Sequence, residues 1–459
     1  MKPTVMKRFK IAILSPLTIA LLLSGASCKK SFFSGANTNP NSPDPVSIIP
    51  SVMLSTVEGT TAYAQGGDFS RYTSLITQQT KGISRQAQGY YGYTFTSVDF
   101  DSPWGNWYTS VMENNKTLMQ IADLKSDNAY GGISRILMAY SLQVAVDMWG
   151  SIPYSDAFKG ADNLQSKYDG DQKLYDTINT LLTTAISKLS GAPGPDVPGG
   201  EDVIYGGSSS KWIKFAHAIK ARLYIHQAKG NATMANNALA EIALSFTSNS
   251  DNAQYIFGET ETSANPWYQF NQQRGDIAFD SSPLGTKMAA SNDPRYLIFT
   301  DPTFNDVNAV GMGHYYGDGN SPVEFITYDE LLFMKAEATL ISGGTIAAAQ
   351  TTFQAAIAAN MDKLGVSGTD AATYIAANGI LPGTAAAAIT KVSAEEYIAL
   401  YLNPEAFSLW RRNASPTLTP IAGANVPRRF LYPQTEYSYN GTNVPASTTL
   451  FAAKVFWDK

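Results

Sequence analysis

A single cysteine, Cys28, stands in a chain of 459 residues. No intramolecular disulfide can form, so the fold must rest on a packed hydrophobic core. The pattern of apolar residues says what kind of core. One stripe at helical spacing runs through Trp107, Val111, Leu118, Ile121 and Ala122, and a clearer one through Ile133, Ile136, Leu137, Tyr140, Val144 and Met148. Two more follow, Leu174 to Leu189 and Trp212 to Leu223, with the Gly/Pro-rich stretch SGAPGPDVPGG between them. No strand run or hairpin signal competes, and the expected fold class is all-α.

The pairing of these helices follows from their connections. A short turn leaves the second helix little choice but to pack antiparallel on the first. Expected pairs are 107–124 with 133–149, 171–189 with 210–228, and 327–341 with 346–362. Stacked pairs imply a tetratricopeptide-like array, degenerate because no fixed repeat is visible. Earlier, a helix over 48–64 should close at Gly66 and Gly67, with a second over 71–80; a weaker Ala-rich helix spans 233–244. Thr327 with Glu330, and Ser393 with Glu396, have capping-box spacing; Asn403 can cap a short helix with Pro404 at its first position.

The N-terminus sets the compartment. Lys7, Arg8 and Lys10 precede an apolar run over 11–23, which narrows to small residues in LLLSGASC. That order describes a secretory signal peptide over 1–27, its apolar run too short for a stable membrane span. A cysteine at the cut site has the form of a bacterial lipoprotein box, whose thiol is lipidated. Leu23 lies two residues before the usual leucine position, held here by Gly25, a looser form that resembles Bacteroidetes boxes. Residues 28–47, rich in Ser, Asn, Gly and Pro, read as a tether, leaving 48–459 as one helical domain. Without residues 1–27 the net charge is −9, which argues against nucleic acid.

Two stretches break the helical pattern, at about 85–106 and 249–321. Eight aromatics fall within residues 85–108, far above the 12% of the whole chain. A loop aromatic is not demanded by a helical core, and a ring face suits the C–H face of a sugar, with amide and charged groups nearby for its hydroxyls. Candidate ligand contacts are Tyr90, Tyr91, Tyr93 and Trp104 in the first stretch and Trp267, Tyr268, Arg274, Tyr315 and Tyr316 in the second. For each the alternative is packing of the loop onto the scaffold. The second stretch, too long for a structureless connection, should hold short elements and a surface role.

Catalytic motifs are missing: there is no HExxH or GxSxG. His217 and His226, nine apart on one helix, lie on opposite faces and cannot share a metal. Arg411 and Arg412 either grip an anion, or pair with carboxylates or cap helix carbonyls near the C-terminal segment. No metal, cofactor or catalytic residue is therefore expected, although two carboxylates of an exported glycoside hydrolase stay open among 38 acidic residues. So does a helical scaffold that binds only proteins.

Taken in order, NTNPNSP after Cys28, DMWGSIPYSDAF (147–158), DPRY (293–296), YDELLFMKAEA (328–338), EEYIALYLNPEAFSLWRRNASPTL (395–418) and PRRFLYPQTEYSYN (427–440) resemble the SusD/RagB family of outer-membrane nutrient-binding lipoproteins, in its SusD-like branch. The resemblance covers essentially the whole chain after residue 27. It implies a tetratricopeptide-like scaffold whose irregular excursions carry the ligand site, and a SusC-type TonB-dependent barrel as partner. The cargo it implies is an oligosaccharide or another oligomeric nutrient, and the location is the outer membrane, facing outward. Lys29 and Lys30 stand where surface-exported relatives often carry acidic residues, which leaves the leaflet open. No ligand residue carries over by motif.

Overall fold

The computed structural model describes residues 48–301, 311–423, 425–446, 449–451 and 454–459. The expectations for the signal peptide, for Cys28 and for the tether fall outside the described residues. The architecture is all-α, as the apolar stripes require.

Its centre is the Asn128–Trp149 helix, buried along almost its whole length. Such a helix has no solvent face, so the single stripe read from the sequence understates it. The Glu113–Lys125, Asp171–Leu189 and Pro50–Ala64 helices pack around it. The pairing of 107–124 with 133–149 and that of Tyr328–Ile341 with Ile346–Lys363 form as expected. The middle pair is in contact as well, but it is neither helix's main partnership. Asp171–Leu189 leans chiefly on the central helix, and Ser209–His226 pairs chiefly with Ala232–Ile242. Connection length accounts for the second preference: residues 227–231 are a tight turn, whereas the stretch over 190–208 is too long to dictate a hairpin.

The two glycines expected to close the first helix do something else. After Ala64 the chain continues through a π-helical turn, Gln65–Phe69, into the Ser70–Ile76 helix, with Gly67 at φ −81°, ψ −120° as the kink. A Cβ on Gly66 would sit 2.6 Å from Val323 and 2.9 Å from Pro266, so this glycine permits close approach of the second excursion. Neither capping box forms. Glu330 turns inward to Arg222, and Ser393 lies inside the Ala385–Ala399 helix. Asn403 does cap: its Oδ1 accepts from Glu405 N at 3.0 Å.

The described residues also hold three two-stranded ladders that the apolar pattern did not announce, and two of them tie the excursions down. Ala253–Ile256 pairs antiparallel with Pro322–Ile326 and closes the neck of the second excursion. Ile152–Pro153 pairs with Tyr168–Asp169. Lys81–Gly82 pairs with Ile277–Ala278, which stitches the first excursion to the second. The first is not an irregular loop: it folds as Arg85–Tyr91, a 3-10 turn Ser97–Phe100 and Asp101–Asn106. Short segments of this kind show no two-turn periodicity to read. The second contains short helices and strands, as expected.

Candidate functional site

The excursions meet beside the π-helical turn, and a surface groove opens there. One part, about 760 Å³, is lined by Tyr63, Asp68, Arg71, Asn106 and Ser110 among others. A second, about 1050 Å³, shares Asp68 and Arg71 and continues past Gln86, Tyr90, Asp99, Phe270 and Arg274. The shared pair makes it one trough. π-Turns are frequent at functional sites because the wider turn re-aims side chains, and here it places Asp68 and Arg71 on the groove wall.

Phe270, on the Pro266–Gln273 helix, forms the apolar element of the wall. The Arg71 guanidinium lies 4.9 Å from its ring centroid and that of Arg274 5.5 Å away, both in cation–π range. Arg71 Nη2 donates to Asp68 at 2.7 Å; Arg274 Nε donates to Asp276 at 2.7 Å, and its Nη atoms donate to Gln86 Oε1 at 3.2 Å. Tyr90 stacks on Phe95 with centroids 4.6 Å apart and rings 3° from parallel, and its hydroxyl donates to Asp99 at 2.6 Å. Burial, then that hydrogen bond, push the Tyr90 pKa up, so its hydroxyl keeps its proton. Tyr63, half exposed, donates to Gln269 at 3.2 Å. The trough thus offers a ring, two planar cations, two carboxylates and amides, all held by partners on rigid elements.

Of the residues singled out in the sequence, Tyr90 and Arg274 are brought together here. Trp267 is buried, its indole N–H donating to Ser70 Oγ at 2.8 Å. Tyr316 is buried edge-on against Phe299 and Tyr401. Tyr93 is buried and accepts from Gln78, Tyr91 packs half-buried on the core cluster that holds Trp267, Phe279 and Tyr401, and Tyr268 is half-buried. Tyr315 donates to Glu324 at 2.8 Å. Most of the aromatic excess therefore packs the excursions, because short elements need large rings to bury enough area. Trp104 is buried, edge-on to Trp149, and borders a separate groove. Sequence reasoning missed Asp68, Arg71 and Phe270; the one available signal was QGGD, a break followed at i+3 by an arginine.

A trio deeper in the body has the composition of a metal site: Asp147, His226 and Glu405. Its hydrogen bonds fit a proton-filled network better. Tyr175 gives its one proton to Asp147, so His226 Nδ1 must donate to the Tyr175 oxygen at 2.8 Å. Nε2 faces Glu405 Oε1 at 2.7 Å. Both nitrogens then carry hydrogen, and neither has a lone pair for a cation. His217 pairs instead with Glu241.

Fold and groove together define a class: a helical-repeat body with a polar, ring-lined trough held by two excursions. Residues 38–433 match the sequence model of the SusD-like family described as starch-binding, associating with the outer membrane. The chain belongs to the SusD-like family. Among solved structures, a SusD/RagB family protein from Bacteroides thetaiotaomicron superposes with TM-score 0.73 at 22% identity, over 90% of this chain and 99% of its own. A chitin-binding SusD homologue from Flavobacterium johnsoniae gives 0.70 at 20%, over 90% and 97%, and a further chitin-binding protein 0.74 at 23%, over 90% and 100%. No curated protein sequence matches.

Proposed function

We propose that this chain is a non-catalytic lipoprotein of the outer membrane that captures an oligosaccharide in the trough between its excursions and hands it to a SusC-type TonB-dependent barrel. The observation that carries the binding step is Phe270 flanked by Arg71 and Arg274, with Asp68, Asp99 and Gln86 around them. A ring takes the C–H face of a sugar; guanidinium, amide and carboxylate groups, fixed beforehand by their own partners, take its hydroxyls at small entropic cost. Relatives described as binding starch or chitin support a glycan cargo. Anchoring through Cys28 and delivery to a barrel rest on the N-terminal sequence and on family membership.

Calorimetry of the chain with chito- and malto-oligosaccharides tests this. One series should bind, and Phe270→Ala and Arg274→Ala should each weaken it by about 1–3 kcal/mol. Hydrolysis of a bound oligomer, abolished by Asp68→Asn or Asp99→Asn, would replace the binding protein with a glycosidase. Failure of both series to bind, with a barrel still co-purifying, would favour a protein-only scaffold.

A further inference from the structure

The helical run from Asp101 onward separates the trough from another groove. Pro103, Asn106 and Ser110 face the trough; Trp104, Tyr108 and Thr109 face the other side. That second groove, about 990 Å³, has Tyr108 and Phe158 for a wall, with ring centroids 6.1 Å apart and planes 24° from parallel. Glu436 and Asn440 stand at its edge. Phe158 holds φ at +63°, a left-handed conformation rare for a bulky residue and a local cost the surrounding fold must offset.

The crest between the two grooves is low. It is built of Ser102, Gly105, Asn106 and Thr109, all short. Gly105 lies inside the Asp101–Asn106 helix, where glycine costs about 1 kcal/mol against alanine. Nothing in the fold asks for it: a Cβ built there meets no atom within 4 Å, and its φ is not positive. Its one evident consequence is a saddle joining the grooves.

Resting on the glycan reading of the trough, we infer that a long oligosaccharide crosses the Gly105 saddle and places further sugar rings against Tyr108 and Phe158, so that this protein selects for chain length. One helix, roughly 10 Å across, is all that such a ligand must span. Short oligomers would occupy the trough alone.

The test is a length series of chito- and malto-oligosaccharides titrated into wild type, Gly105→Ala, Gly105→Trp and Phe158→Ala. Wild type should bind long oligomers at least about tenfold more tightly than short ones, the equivalent of one or two added ring contacts. Gly105→Trp and Phe158→Ala should remove that gain and keep the short-oligomer affinity. Gly105→Ala should melt higher than wild type, as expected where the backbone does not need glycine. Equal length dependence in wild type and Gly105→Trp overturns the crossing while leaving the trough reading intact. A lower melting temperature for Gly105→Ala overturns the argument that the fold does not require glycine there. Absence of short-oligomer binding in wild type overturns the trough reading, and the crossing with it.

Discussion

Arg412 and Glu337 face one another in the interior, with Nε and Nη2 of the arginine donating to the two carboxylate oxygens at 3.1 and 2.8 Å and neither side chain more than 1% exposed. Asn413 Nδ2 adds a third hydrogen bond to the same carboxylate at 2.9 Å. This settles the alternatives open for the arginine pair: Arg412 pairs with a carboxylate, and Arg411 reaches the carbonyl oxygens of Asp147 and Arg428.

A buried ion pair adds little net stability, because desolvation offsets most of the attraction; losing one partner is another matter. Glu337→Ala removes both hydrogen bonds of the guanidinium to a carboxylate, leaving it only the longer approaches to Glu405 at 3.7 Å and Glu396 at 4.0 Å, and should lower unfolding free energy by about 3 kcal/mol, read from urea denaturation. Glu337→Met with Arg412→Leu should recover much of that. A single mutant within about 0.5 kcal/mol of wild type would mean that water reaches the site.

Trp267 separates packing from binding. Its ring is buried and its N–H is satisfied by Ser70, so Trp267→Ala should cost about 3–5 kcal/mol and lower the melting temperature. Weakened glycan binding with an unchanged melting profile would return Trp267 to the ligand contacts and displace Phe270 as the principal ring.

What the sequence revealed divides along element length. Helices of four or more turns announced themselves by period, and the family-like blocks among the described residues supply interior contacts. Trp149 of DMWG donates to Leu431 O at 2.9 Å, Phe430 of PRRF packs against Trp149, and Arg295 of DPRY holds Asp293 and Glu395. The trough was half visible. Tyr90 and Arg274 stand in aromatic or Gly-rich stretches, but Asp68 and Arg71 belong to a helix whose π-turn has no linear signature. Nor does a pattern of residues show that Lys81 pairs with Ala278, the contact that brings the excursions together.

Cys28 should act as an anchor and nothing more. It precedes the helical body in sequence, and none of the helices among the described residues is long and apolar enough to cross a membrane. Two or more acyl chains hold a protein firmly where one does not. Cys28→Ala should therefore move the protein to the soluble fraction on cell fractionation, with unchanged circular dichroism and melting temperature. Retention in membranes from cells lacking the barrel would count against lipidation.

His226 gives the stability a pH dependence whose sign can be worked out. Burial presses its pKa down from 6.5, but Glu405 and Asp147 on either side outweigh burial and the net shift is upward. A folded-state pKa above the unfolded one stabilises the fold fully below about 6.5, and that contribution is lost as pH rises through the raised value. Glu405 works at the other end. Burial would raise it, yet His226 and Arg222 prevail and hold it at about 2, so its contribution is present above 4.5 and fades as pH falls toward 2. The melting temperature should be highest between these limits and decline on the alkaline side. In His226→Gln the amide can still donate to one carboxylate but carries no charge, so the variant should melt lower at pH 6 and converge on wild type as pH rises. Parallel melting curves across that range would mean that the imidazole is neutral in the fold, and the proton assignment drawn from Tyr175 would be wrong.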